Sequence, residues 1–98
     1  MPAGTGFTGV MSIRTVTSIR VDRLGEVTSL CNDNADWSPI GVADALMDLE
    51  LGINSYCVRW PDGTSQITDA FDGDLKYLRS ERPGDSRNWL LDLPRHAA

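Results

Sequence analysis

Trp37-Ser38-Pro39-Ile40-Gly41-Val42-Ala43-Asp44-Ala45-Leu46-Met47-Asp48-Leu49-Glu50-Leu51-Gly52 carries the one clear helical pattern in this chain of 98 residues. Val42, Ala45, Leu46 and Leu49 fall at i, i+3, i+4 and i+7, the spacing of a single buried stripe. Ile40, Ala43, Met47 and Leu51 widen the apolar surface, and Asp44 and Asp48, one turn apart, are expected to point to water. Ser38 suits the N-cap, where its hydroxyl accepts a bond from a free backbone N–H of the first turn. Pro39 then falls at the first helical position, where a missing donor costs nothing. Gly52 suits the left-handed residue that closes many helices. A helix of this length is marginal in isolation, so it needs a sheet to lie on.

The flanking segments supply one. Before the helix, Met11 to Asp22 reads as a strand, with Ile13, Thr15, Thr17, Ile19 and Val21 on one face and Arg14, Val16, Ser18 and Arg20 on the other. Arg23-Leu24-Gly25-Glu26 is a turn, and Glu26 to Cys31 is a second strand antiparallel to the first. Asn32 to Asp36 is a polar loop with an Asx turn. After the helix, Ile53 to Trp60, Thr64 to Ala70 and Asp74 to Ser80 read as three strands. The turn signals Pro61-Asp62-Gly63 and Asp72-Gly73 separate them. The expected class is therefore α+β: a single, mostly antiparallel sheet of about five strands in the order β-β-α-β-β-β, with the helix packed on one face. Residues 1–10 are expected as a disordered arm, 11–95 as a single domain and 96–98 as a frayed tail. Between the last strand and the tail, Glu81 to Asn88 is a loop. Trp89 to Leu93 is too apolar to stand in water and is expected to fold back as a cap on the core.

The net charge of −5 argues against nonspecific binding to nucleic acid or to an anionic membrane. The charge is uneven. Residues 37–73 hold Arg59 against Asp44, Asp48, Glu50, Asp62, Asp69 and Asp72. Residues 74–98 hold Lys76, Arg79, Arg82, Arg87 and Arg95 against Asp74, Glu81, Asp85 and Asp92, so the C-terminal quarter is locally basic. No apolar run approaches the ~20 residues that span a bilayer. The first residues have no basic region followed by an apolar one, so a cytoplasmic location is expected, with Cys31 and Cys57 as reduced, partly buried thiols.

Catalytic patterns are sparse. The one histidine, His96, is the third residue from the end and reads as a solvated tail residue, which leaves both thiols without an imidazole partner. A structural zinc site wants about four Cys or His ligands, and only three scattered candidates are present. Gly4-Thr5-Gly6 does not lie between a strand and a helix, as a phosphate-binding loop must. The Asn32–Asp36 segment lacks the later glycine and the closing acid of a calcium loop. No catalytic, cofactor-binding or metal-binding residue is assigned. Trp37 and Trp60 read as core-edge residues whose indole N–H finds a carbonyl, with Tyr56 and Tyr77 judged alike. The candidate contact residues are Lys76, Arg79, Arg82 and Arg87, with Trp89 as a stacking ring.

The C-terminal half, Lys76-Tyr77-Leu78-Arg79-Ser80 followed after a polar loop by Asn88-Trp89-Leu90-Leu91-Asp92-Leu93-Pro94, resembles the ending of the bacterial domain-of-unknown-function 3892 family. Trp37 before the helix fits the same family pattern, and the resemblance spans about residues 11–95. Past Leu93-Pro94 this chain continues with Arg95-His96, where the family's members often carry a small residue or cysteine. The resemblance implies the same fold and brings no activity, cofactor or site residue.

The expected function is a noncatalytic protein-interaction module that meets a protein partner, or its own copy, through an exposed sheet edge or the apolar C-terminal cap. The alternative is weak nucleic-acid binding through Lys76, Arg79, Arg82 and Arg87.

Overall fold

The computed structural model describes residues 12–96. The arm expected at residues 1–10 lies outside them. In chain order the elements are β1 (Ser12–Thr15), β2 (Ser18–Val21), β3 (Val27–Cys31), β4 (Ile40–Gly41), α1 (Val42–Leu51), β5 (Asn54–Trp60), β6 (Gly63–Asp72) and β7 (Leu75–Ser80), followed by a 3-10 turn at Leu90–Asp92. The class is α+β with one helix among the described residues, as the residue pattern implies.

The single sheet expected from the sequence is corrected to two. One is four-stranded in the order β1-β5-β6-β7, and the other is three-stranded in the order β2-β3-β4. The pairing β1–β5 is parallel, and every other pairing is antiparallel. The cause lies within the segment read as one strand from Met11 to Asp22. Val16 and Ile19 are both fully buried, yet three residues apart they would face opposite sides of a regular strand. A corner at Val16-Thr17 reconciles them. The Val16 N–H donates to the Cys57 carbonyl at 2.8 Å, and the Thr17 N–H donates to the Cys31 carbonyl at 2.9 Å. Consecutive residues thus bond to different sheets, and the chain passes from one to the other. Ile13, assigned by alternation to the face of Ile19, is instead 71% exposed.

The helix also starts later than its sequence implies. It begins at Val42 with extended Gly41 as its N-cap and with no side-chain cap. Ile40 and Gly41 pair with Leu30 and Ser29 as an edge of the second sheet, which takes them out of the helix. The Ser38 hydroxyl accepts the Asn32 N–H at 2.8 Å rather than capping the first turn, and the Ser38–Pro39 peptide is cis. The C-terminus follows expectation: Gly52 has φ 70°, and the Ile53 N–H returns to the Asp48 carbonyl.

The helix packs against strands of both sheets. Ala45 is fully buried, while Val42, Leu46 and Leu49 are partly buried against the same core. Ile19 and Leu30 enter that core from the second sheet, and Tyr56, Val58, Ile67 and Leu78 enter from the first. Leu90 and Leu93 close it from the C-terminal segment, which folds back as the apolar cap expected of it. Each large aliphatic side chain so buried contributes about 1.5–3 kcal/mol.

Pro94 to His96 continue beside β2. The Ile19 N–H donates to the Pro94 carbonyl at 2.9 Å, and the His96 N–H donates to the Ile19 carbonyl at 2.7 Å. His96, assigned to a frayed tail, is held at the second sheet's edge, and its Nε2 lies 2.6 Å from the Asp33 carboxylate.

Candidate functional site

The structure separates the cationic candidates. Lys76 and Arg79 lie on β7, the outer strand of the first sheet, and Arg82 and Arg87 lie on the loop after it. Each faces a carboxylate: Lys76 with Asp69 at 3.1 Å, Arg79 with Glu81 at 3.7 Å, Arg82 with Asp62 at 3.1 Å and Arg87 with Asp92 at 3.2 Å. Arg79 also donates to the Ser86 carbonyl.

Arg82, Arg87 and Trp89 do come together, with Trp60 as a fourth member. The Arg82 guanidinium carbon stands 5.0 Å from the Trp60 ring centre and 4.7 Å from that of Trp89. Arg87 lies over Trp89 at 3.4 Å, and the two indoles meet edge to face at 6.4 Å. Trp60 donates its indole N–H to the Ser65 hydroxyl at 2.8 Å, a side-chain partner in place of the carbonyl expected, whereas the buried Trp89 indole N–H has no partner. With Arg82 between the two rings, Arg87 over Trp89, and both arginines already facing carboxylates, this ladder anchors the 81–89 loop. Gly63 lets the loop sit close, because a Cβ there would stand 2.9 Å from the Pro83 ring.

A second polar group was invisible to periodicity. The Tyr56 hydroxyl donates to Asp48 at 2.6 Å and accepts from Arg14 at 3.0 Å, and Asn54 donates to the same Asp48 oxygen at 3.1 Å. The Arg14 guanidinium lies 5.5 Å from the Trp37 ring centre and 5.7 Å from that of Tyr56. Asp48, expected to face water, thus fastens the helix to β1 and β5. Burial, and then the bond to the Asp48 carboxylate, push the Tyr56 hydroxyl up to about 12. Burial also pushes the Cys31 thiol up, which suits an inert core residue rather than a nucleophile. Cys31 and Cys57 are both free and buried.

A third feature is a cleft of about 380 Å³ where the β2–β3 turn meets the β6–β7 hairpin. Val27, Val42, Leu75, Tyr77, Leu78 and Leu91 supply its apolar lining, and Glu26, Asp72 and Lys76 supply charge. Leu75 is 67% exposed and Leu91 is 44% exposed, although both are large and apolar.

No protein-family model, curated protein or solved structure matches this chain.

The chemistry of the cleft therefore rests on its own residues. Its volume is at the low end of ligand pockets, which run to about 300–1,000 Å³. Its walls offer apolar contact, and its carboxylates offer attraction to a cation. Among the described residues, no group of three or more His, Cys, Asp or Glu side chains gathers as a metal site would require. Alternation along β7 alone could not reveal the cleft. Leu75 meets Leu91, Val42 and Val27 there only through the packing of four separate segments. The available signal was the excess of apolar residues in Trp89 to Leu93, one of which, Leu91, the core does not absorb.

Proposed function

We propose that this chain is a noncatalytic protein-interaction module and that its contact surface is the cleft floored by Leu75 and Leu91. The observation that carries this reading is the exposure of those two leucines around an apolar depression, since large apolar side chains gathered at a concavity mark contact sites more often than scattered ones do. The charge arrangement favours it over nucleic-acid binding. Lys76, Arg79, Arg82 and Arg87 each already face a carboxylate, so phosphate contact would have to displace an internal partner. The likeness to the domain-of-unknown-function 3892 family rests on the C-terminal motifs and adds no activity to this proposal.

The test is capture from native lysate by the wild-type chain and by a Leu75→Arg/Leu91→Arg variant whose fold is checked by circular dichroism. A protein retained by the wild type and lost by the variant supports the proposal. Retention of none, or equal retention by both chains, counts against it.

A further inference from the structure

The cleft is flanked by a turn that presents the chemistry the cleft would accept. Leu24, at the tip between β2 and β3, is 84% exposed, the most exposed of the large apolar side chains among the described residues. The turn is not loose. The Asp22 carboxylate accepts the backbone N–H groups of Leu24 at 2.9 Å and of Glu26 at 3.0 Å, and the Gly25 N–H donates to the Asp22 carbonyl at 3.0 Å. An aliphatic side chain is thus held out in water by a hydrogen-bonded turn, beside an arginine. Arg23 enters no ion pair among the described residues, and neither do Glu26 and Asp72 at the cleft. Lys76, the cation lining the cleft, is already held by Asp69 and Glu50. An apolar knob with a spare positive charge therefore stands next to an apolar hole with spare negative charges.

Leu24 does not line the cleft that its own neighbours Gly25 and Glu26 help to form. A second molecule related by a twofold axis can supply it, because each copy then offers both knob and hole to the other. Resting on the proposed interaction role of the cleft, we infer that its occupant is a second copy of this chain. Leu24 of each protomer seats between Leu75 and Leu91 of its partner, with Arg23 against the partner's Glu26 and the partner's Asp72. Burying Leu24, Leu75 and Leu91 takes three exposed apolar side chains out of water. The charge pairing fixes the register and rejects partners with an acidic flank.

Sedimentation equilibrium of the purified chain over a range of concentrations tests this. The expected result is a reversible monomer–dimer equilibrium that Leu24→Asp weakens by at least about tenfold, or about 1.4 kcal/mol. Arg23→Glu and Glu26→Lys should each weaken it alone. A mixture of those two variants should restore dimers, since position 23 of each copy then meets an opposite charge at position 26 of the other. These substitutions leave the backbone bonds to Asp22 in place, and unchanged thermal unfolding confirms that each variant is folded. A wild type that stays monomeric at every concentration overturns the inference, as does a dimer indifferent to Leu24→Asp or a mixture that fails to associate. Capture of a different protein through the same leucines, with no dimer formed, sinks the self-association while upholding the cleft as a contact surface.

Discussion

The Tyr56 hydroxyl donates a 2.6 Å hydrogen bond to the Asp48 carboxylate, joining the centre of β5 to the last turns of the helix. The ring is fully buried, and its oxygen is further tied to Arg14 on β1. One phenol thus bonds two elements that meet only in the folded chain. Removing it by Tyr56→Phe leaves Asp48 with Asn54 and Arg14 and should cost about 1–3 kcal/mol, read from urea unfolding.

Burial of this hydroxyl, and then its bond to Asp48, set an alkaline limit. The hydroxyl ionises at about 12 in the folded chain, above its ordinary value of about 10. A raised value means that the folded state holds its proton more tightly than the unfolded state. The stabilisation is therefore complete below pH 10 and is lost as pH rises through 12. The stability difference between wild type and Tyr56→Phe should be constant below pH 10 and shrink above it. A difference that grows with alkaline pH would show the opposite linkage.

Adjacent leucines in the C-terminal cap should behave differently. Leu90 is fully buried and Leu91 is 44% exposed. Leu90→Ala should destabilise by about 2–5 kcal/mol, as cavity-forming substitutions do. Leu91→Ala should stay within about 0.5 kcal/mol, as surface changes do. Equal losses in the two variants would mean that the segment does not pack in this register.

The missing helix cap can be supplied. Gly41 is extended at φ −67° and ψ 152°, and a Cβ there meets nothing within 4 Å. Gly41→Ser places a hydroxyl where it can accept a first-turn N–H and reduces the freedom of the unfolded chain. The expected gain is about 0.5–1 kcal/mol in thermal or urea unfolding. Ser38→Ala, by contrast, should act on the 32–38 loop through the lost Asn32 contact and leave helix content by circular dichroism unchanged.

Arg82 is held between two indoles, so its removal should be felt as lost packing. Arg82→Ala should cost about 1 kcal/mol and shift tryptophan emission. Arg82→Lys should restore little of it, because an ammonium group does not stack as the planar guanidinium does.

Much of the local structure was readable from neighbouring residues. The buried stripe from Val42 to Leu49, the closure at Gly52, the antiparallel pairing of Glu26 to Cys31 with the preceding strand and the three-strand meander all appear in the fold. The cationic candidates form one cluster in sequence, but the structure divides them between β7, with Lys76 and Arg79, and the loop after it, with Arg82 and Arg87. What they face was not readable, because Asp62 lies twenty residues from Arg82 and Asp69 lies on a different strand from Lys76.

Periodicity and turn chemistry act over a few residues, so helix, hairpins and apolar cap follow from the order of side chains alone. The division into two sheets does not. It depends on which distant carbonyls, those of Cys57 and Cys31, receive the N–H groups of Val16 and Thr17. The start of the helix depends likewise on β3 claiming Ile40 and Gly41, and the cleft on four segments arriving together. Those outcomes are settled by competition for hydrogen-bond partners and buried volume across the whole chain, which alternation within one segment does not record.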